Sequence, residues 1–214
     1  MSILIPTIMA HSLADLRIKY AAVAPFVDEV QIDVMDGVFV LAKGWCEPND
    51  IRVSSFVQLP FEMHLMVDKP ERRISKWLET GAARLIVHVE STDQMSQILV
   101  EAQVFGTEIA LGINVLTPLE RLDPWLDRVK VVQMMGIKNV GHQGEPFAQE
   151  ILPRIKVLKK RAPHVTIAVD GGVNEETIPL LRAAGVERFA VGSAIFQSED
   201  VRSAIFGLQE AIKK

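Results

Sequence analysis

Cysteine is nearly absent from this sequence, which has Cys46 and no other. One cysteine excludes an internal disulfide and is typical of a reducing compartment. No apolar run reaches the ~20 residues that a membrane-spanning helix requires, and the first residues lack the charged start of a signal peptide. We therefore predict a cytoplasmic protein. Cys46 itself we interpret as a bystander thiol, because no nearby histidine marks it as a nucleophile.

Long basic runs are also missing. The 23 basic and 27 acidic residues give a net charge of -4, and the longest basic cluster is the short segment 159–161. Such a cluster suits the carboxyl end of a helix. With these charges we do not expect nucleic acid or an anionic membrane as a partner. The expected partner is a small molecule.

What the sequence does contain is an alternation of apolar and amphipathic segments. Strands in parallel sheets are buried on both faces and appear as apolar runs. We predict eight such strands, at residues 3–9, 30–34, 61–66, 84–89, 109–115, 129–135, 165–170 and 188–191. Eight strand–helix units predict an α/β fold, a closed (β/α)8 TIM barrel, as a single domain over residues 1–214. The rival, an open doubly wound sheet, usually carries a Gly-x-Gly-x-x-Gly turn, and none occurs here.

The segments between the strands are predicted as helices and one long loop. Helices are expected from Ser12, from Pro70, and over residues 92–105, 146–161, 175–184 and 201–212, with a short one after Thr117-Pro118. Residues 37–49 are predicted as a long loop. Long ordered loops are often functional, so this one is a candidate lid.

Two acids lie at the ends of buried strands. Asp33 follows Gln31-Ile32, and Asp170 precedes Gly171-Gly172. A carboxylate on a buried strand is costly unless a metal, a partner or a reaction uses it. Because barrel enzymes place their chemistry at the carboxyl ends of the strands, both acids are expected in one site.

A metal site is a further expectation. Asp33, His64 and Asp170 form a candidate triad, and mixed oxygen and nitrogen ligands suit Zn, Mn or Fe. The alternative for His64 is an ordinary hydrogen-bonded core histidine. His88 and Glu90 lie at the end of the next predicted strand, close to the candidate triad. For His88 the stronger interpretation is that it is not a metal ligand and that Glu90 is its hydrogen-bond partner.

Glycines and methionines also gather at strand ends. Glycine lets backbone N–H groups approach an anion, and barrels commonly bind phosphate after strands seven and eight. The alternative is that these glycines only form tight turns. For the methionines, core packing is the ordinary explanation, and an apolar floor that excludes water is the functional one. The candidate phosphate-binding residues are Gly141, Gly144, Gly171, Gly172, Gly192 and Ser193, with His64 at the substrate, and the candidate floor is Met35, Met66 and Met135.

Two carboxylates beside a phosphate anchor suit proton abstraction next to a carbonyl. One acid would remove a proton and the other would return one on the opposite face, each contributing roughly 10²–10⁴-fold. The resulting enediolate needs a positive partner, which a metal supplies.

Seven stretches spread along the sequence carry a resemblance to a known family. They are Pro6-Thr7-Ile8, Asp33-Val34-Met35-Asp36-Gly37, His64-Leu65-Met66, Val87-His88-Val89-Glu90, Asn114 with Thr117-Pro118, Val169-Asp170-Gly171-Gly172-Val173 and Gly192-Ser193-Ala194-Ile195-Phe196. Together they resemble the ribulose-phosphate 3-epimerase family over nearly the full length. The resemblance implies interconversion of D-ribulose 5-phosphate and D-xylulose 5-phosphate with a divalent metal, catalytic Asp33 and Asp170, and metal ligands that include Asp33, His64 and Asp170. We also expect a homo-oligomer.

The sequence departs from the family at several points. Gln31 stands where the family has a metal-binding histidine, and Ala10 stands where it has a substrate-contacting serine. The phosphate loop at 141–144 and the loop at 40–45 also differ from the family pattern. Gln31 would be a weak ligand, so a weakly bound metal is expected. Two alternatives follow: a 3-epimerase for another ketose phosphate, and a non-catalytic sugar-phosphate-binding paralogue. Phosphosugar decarboxylases are disfavoured, because they would have lysine where Met35 stands.

Overall fold

The computed structural model describes residues 2–45, 47–142 and 144–214, so Cys46 and Gln143 lie outside the described residues. Eight parallel strands pair in sequence order and close into a barrel, which confirms the predicted (β/α)8 fold. The strands are β1 Ile3–Met9, β2 Val30–Met35, β3 Phe61–Met66, β4 Arg84–His88, β5 Glu108–Ile113, β6 Val131–Met135, β7 Thr166–Asp170 and β8 Arg188–Val191.

The strand register places the predicted polar residues on the inner face of the barrel. Asp33 pairs with His64 between β2 and β3. Side chains alternate along a strand, so Glu62, His64 and Met66 of β3 share one face. They lie at three successive levels: Glu62 in an ionic cluster near the amino end, His64 in the polar site, and Met66 at the mouth.

The helices cover the outside of the barrel and bury one apolar face each. In the first, Ser12 caps the amino end by accepting from the backbone N–H of Asp15. Leu16, Tyr20 and Val23 then recur at helical spacing and are buried against the strands. The α-helices are α1 Leu13–Val23, α2 Pro48–Val53, α3 Ile74–Leu78, α4 Met95–Phe105, α5 Ile151–Arg161, α6 Ile178–Ala184, α7 Ser193–Phe196 and α8 Val201–Lys213. None of the helices in the described residues is long and apolar enough to cross a membrane.

The helix predictions were wrong at several places. After Thr117-Pro118 the chain forms two 3-10 turns, Leu119–Arg121 and Leu126–Arg128, and no α-helix among the described residues. Pro124 lies between the turns and has no N–H to continue a helix. Helix α2 was not predicted, and it shortens the expected loop. The predicted helix from Pro70 is also split, because a 3-10 turn, Pro70–Arg72, precedes α3.

Helices α4, α5 and α6 begin later than predicted, and for α5 and α6 hydrogen bonds hold the preceding residues outside the helix. Residues 146–150 precede α5, where the Ala148 N–H donates to the carbonyl of Gly136 and ties the segment to the loop after β6. Before α6, the Asn174 side chain accepts from the N–H groups of Glu176 and Thr177. An Asx turn of this kind starts the helix at Ile178.

An ionic cluster fills the amino end of the barrel. Arg84 contacts Glu29, Glu62 and Glu108, while Arg188 contacts Glu29 and Glu62. Glu62 and Arg188 are buried. Burial raises the pKa of the Glu62 carboxyl, and the two arginines oppose that rise. The cluster closes the end of the barrel opposite the candidate site.

Candidate active site

Four buried side chains meet just below the carboxyl ends of β2, β3 and β7. His64 Nδ1 lies 3.3 Å from Asp33 Oδ1 and 3.1 Å from Asp170 Oδ2. Gln31 Nε2 donates to the same two oxygens, at 3.0 and 2.8 Å, and lies 3.5 Å from His64 Nδ1. Residues from opposite sides of the barrel are therefore in direct contact, as the two strand-end acids predicted.

The spacing of these atoms fits a divalent cation. The ligand atoms of Asp33, His64 and Asp170 lie within 4.8 Å of one another. Donors placed tetrahedrally at about 2.0–2.2 Å from a metal are separated by about 3.3–3.6 Å, close to the spacings seen. Gln31 Nε2 lies beside the same atoms. Its Oε1 is buried without a hydrogen-bond partner among the described residues, and a half-turn of the amide would bring this oxygen into the cluster.

The charges of the cluster perturb the pKa values of its members. Burial raises the pKa of Asp33 to about 6, with repulsion from Asp170 adding to the rise and the His64 hydrogen bond opposing it. For His64, burial acts to lower the pKa, but hydrogen bonds with Asp170 and Asp33 prevail and raise it to about 9. Near pH 7 the imidazole is thus a cation between carboxylates, which is the charge a bound metal would replace.

A second buried histidine lies behind the first. His64 Nε2 and His88 Nε2 are 2.8 Å apart, and His88 Nδ1 lies 3.2 Å from Glu90 Oε2. Burial lowers the pKa of His88. For Glu90, burial acts to raise the pKa, but the His88 hydrogen bond and the backbone N–H of Asn114 lower it. His88 therefore lies between His64 and Glu90, on the side of His64 remote from Asp33 and Asp170, and has Glu90 as its partner, as the stronger sequence interpretation had it.

A small cavity of about 50 Å³ lies above the cluster. Met66 and Met135 line it as expected, whereas Met35 does not. Met35 packs against Met66 and Val40 and lines a larger neighbouring cavity of about 400 Å³. Ten of the predicted site residues line the small cavity: Asp33, Met66, Met135, Gly141, Gly144, Asp170, Gly171, Gly172, Gly192 and Ser193.

The glycines of the cavity bring backbone close to its interior. Gly172 has φ of +69°, and a Cβ there would lie 2.9 Å from the Cα of Phe147. Only glycine fits that position. Gly192 has φ of -102° and precedes the short helix α7, whose first residue is Ser193. The glycines therefore bring main chain to one side of the cavity wall, and backbone N–H groups in such a place suit an oxyanion.

The loop after β2 lies beside the cavity and contacts the loop after β6. Asp36 fixes its start by accepting from the N–H groups of Val38 and Phe39 at 2.8 and 2.9 Å. The Phe39 ring then lies 5.0 Å from the His88 ring. Further along, a Cβ on Gly141 would lie 3.0 Å from Val40, so this loop touches the loop after β6. A lid role for this loop stays a prediction.

Several residues of the polar cluster and of the cavity were missed at the sequence level. Gln133 Nε2 donates to Asp170 Oδ2 at 3.3 Å. It is a polar residue inside the apolar strand β6, the same signal that marked Asp33. Seven further residues line the cavity: Thr7, Met9, Ile137, His142, Glu145, Val173 and Ala190. Thr7 and Met9 had a signal, since they end β1, whereas His142 and Glu145 lie in a loop where no pattern distinguishes them.

Comparison with known proteins places the chain in a family. The family model described as "Ribulose-phosphate 3 epimerase family" matches residues 3–196. A ribulose-phosphate 3-epimerase from Mycobacterium leprae is 32% identical over 212 residues, 95% of this chain and 92% of that protein. One from Bacillus subtilis is 33% identical over 185 residues, 83% of this chain and 84% of that protein.

Solved structures show the same fold. The 3-keto-L-gulonate-6-phosphate decarboxylase from Vibrio cholerae has a TM-score of 0.78 at 16% identity, covering 99% of this chain and 97% of that chain. At this identity the likeness concerns the fold alone. The family match and the sequence relatives carry the assignment: the chain belongs to the ribulose-phosphate 3-epimerase family and is an isomerase, an epimerase acting on a sugar phosphate.

Proposed function

We propose that this protein interconverts D-ribulose 5-phosphate and D-xylulose 5-phosphate by proton transfer between Asp33, Asp170 and C3 of the sugar. The observation that carries this proposal is the position of the two carboxylates. They come from β2 and β7, on different sides of the mouth, and both line the glycine-walled cavity. A substrate bound there would have one carboxylate near each face of its C3.

Each aspartate has an oxygen left for substrate. In the described hydrogen bonds, Asp33 uses Oδ1 and Asp170 uses Oδ2 within the polar cluster. The remaining oxygen of each would meet the sugar. One carboxylate takes the C3 proton, and the other, in its acid form, gives a proton to the opposite face. The pKa of about 6 at Asp33 suits this work near neutral pH, because a general base is most effective near the operating pH.

Asp33, His64 and Asp170 would hold a divalent cation, Zn, Mn or Fe, with the amide oxygen of Gln31 as a weak fourth donor. When bound, the cation supplies positive charge that stabilises the enediolate oxygens. The chain itself contributes the geometry. Gly172, Gly192 and Ser193 would anchor the phosphate through backbone N–H groups, and the buried methionines Met66 and Met135 would keep water from the reacting carbon.

A second candidate, a 3-epimerase for another ketose phosphate, rests on the loop after β6. His142 and Glu145 line the cavity beside the glycines that would hold the phosphate. An imidazole and a carboxylate at that place would change which sugar phosphates fit.

The test is an assay with D-ribulose 5-phosphate, D-xylulose 5-phosphate and a ketohexose 6-phosphate, run in ²H₂O and followed by NMR. The proposal expects epimerisation of the pentuloses with ²H incorporated only at C3. A kcat/KM at least tenfold higher for the ketohexose phosphate would favour the second candidate. Absence of ²H incorporation from every sugar would overturn both.

A further inference from the structure

We propose that His88 and Glu90 are positioning residues that hold His64 in the tautomer whose Nδ1 lone pair faces Asp33 and Asp170. This inference deepens the proposed function and rests on its metal site. Neither residue would touch the metal or the sugar. Their role would be to decide which nitrogen of His64 keeps its proton when a cation is bound.

Asn114, Glu90, His88 and His64 form a series of hydrogen bonds. The direction of each bond in this series follows from the outermost one, between Asn114 and Glu90. The backbone N–H of Asn114 donates to Glu90 Oε1 at 2.8 Å. An ionised carboxylate only accepts, so the 3.2 Å contact between Glu90 Oε2 and His88 Nδ1 requires a proton on that nitrogen. A neutral His88 then has an unprotonated Nε2.

The same logic carries inward to His64. Since His88 Nε2 accepts, the 2.8 Å contact between the two Nε2 atoms requires His64 Nε2 to donate. The remaining nitrogen, Nδ1, is the one beside Asp33 and Asp170. Nδ1 is therefore the nitrogen that can offer a lone pair, and contacts remote from it fix this choice.

Packing keeps the His88 ring in the orientation that these hydrogen bonds to Glu90 and His64 require. Both imidazoles are fully buried, and their planes are 19° apart at a centroid distance of 5.1 Å. Gly112 of β5 makes the space, because a Cβ there would lie 2.8 Å from His88 Cδ2 and 3.0 Å from its Nε2. Phe39 covers the ring from the loop side. The ring is thus packed between Gly112 of β5 and Phe39 of the loop after β2.

Glu90→Gln is the sharpest variant, because it keeps the shape and removes the charge. A glutamine oxygen cannot accept from both Asn114 and His88 in the present arrangement, and its NH₂ group would favour the opposite tautomer of His88. Glu210→Gln is the matched control, since Glu210 is an exposed carboxylate paired with Lys213 near the end of α8. Gly112→Ala displaces the His88 ring without altering any charge.

The experiment combines Mn²⁺ titration calorimetry of the metal-stripped protein with ¹⁵N NMR of the imidazoles. Mn²⁺ affinity should fall by roughly 10–100-fold in Glu90→Gln and in Gly112→Ala, and remain unchanged in Glu210→Gln. His88 should carry its proton on Nδ1 in the unmodified protein. Melting temperatures identify any variant that fails to fold, and Glu90→Asp, which restores the charge, should recover part of the affinity.

Three outcomes separate this inference from the proposed function. An Mn²⁺ affinity in Glu90→Gln equal to that of the control would overturn the inference and leave the metal site standing. A proton on His88 Nε2 would overturn it as well. If the unmodified protein binds no Mn²⁺, Zn²⁺ or Fe²⁺, the metal part of the proposed function fails, and the inference fails with it, even with His88 protonated at Nδ1.

Discussion

The amide nitrogen of Gln31 lies 2.8 Å from Asp170 Oδ2, a hydrogen bond that joins strand β2 to strand β7 across the barrel. The same nitrogen donates to Asp33 Oδ1 at 3.0 Å. One neutral NH₂ group thus holds two carboxylates together at the place where the family has a metal-binding histidine. The amide competes with a cation for the same pair of oxygens.

We expect Gln31→His to tighten divalent metal binding by roughly tenfold or more, because imidazole is a better donor than an amide oxygen for Zn, Mn or Fe. The unmodified protein should lose part of its metal on dialysis. Metal content after dialysis, followed by titration of Zn²⁺ and Mn²⁺ into both forms, measures this. One tightly held metal per site in the unmodified protein, with no gain in Gln31→His, would show that Gln31 is an adequate ligand.

Asp33→Asn and Asp170→Asn should each abolish epimerisation and leave the barrel folded. Burial raises the pKa of Asp33, so the fold carries a cost for its charge, and the neutral amide should leave the melting temperature equal or higher. The measurements are turnover with D-ribulose 5-phosphate and thermal unfolding at pH 7. More than a few per cent of residual activity in either variant contradicts the two-carboxylate scheme.

Gly192→Val should raise KM for the sugar phosphate far more than it lowers the melting temperature. The added side chain would stand between the phosphate and the backbone N–H groups at the start of α7. Gly172 is a poor choice for this test, because any Cβ there collides with Phe147 and would disturb the fold itself. The measurements are KM from steady-state kinetics and the melting temperature from thermal unfolding, for the variant and the unmodified protein. An unchanged KM would mean that Gly192 only shapes a turn.

Arg188→Met should destabilise the protein by about 3–5 kcal/mol, because it leaves buried carboxylates uncompensated. Glu62→Gln should cost clearly less. The cluster holds three glutamates and two arginines, so neutralising Glu62 leaves two charges of each sign, whereas removing Arg188 leaves three negative charges against one positive. Urea unfolding of both variants gives the comparison, and a larger loss in Glu62→Gln would refute this charge balance.

The barrel was predictable because each strand is an apolar run in the sequence. The two candidate acids stood out because each lies in one of these apolar runs. Asp33 and Asp170 were identifiable on that ground alone, and the structure brings them together with His64. Gln133 carried the same signal within β6 and was overlooked. The helix boundaries were harder to predict from the sequence. The late start of α5 depends on a hydrogen bond from Ala148 to Gly136, a tertiary contact that local sequence does not specify.

The contact between His64 and His88 could not be read from the sequence. Both histidines were visible, but their 2.8 Å separation depends on the register of β3 against β4 and on the space left by Gly112. The position of Met35 shows the same limit. It shares the alternation of Asp33 along β2, yet its side chain packs beside Gly44 of the following loop and lines the neighbouring cavity.

The contact between the loops after β2 and β6 sets a kinetic condition on the proposed reaction. The cavity of about 50 Å³ is far below the roughly 300 Å³ at which ligand pockets begin, so it must widen before a sugar phosphate can bind. Gly141 lines the cavity and lies against Val40, so a widening on this side would move both loops and shift Phe39 from His88. Each catalytic cycle would then include one such movement for binding and one for release, and turnover could not be faster than this gate. In a viscous solvent the gate would slow while the proton transfers would not.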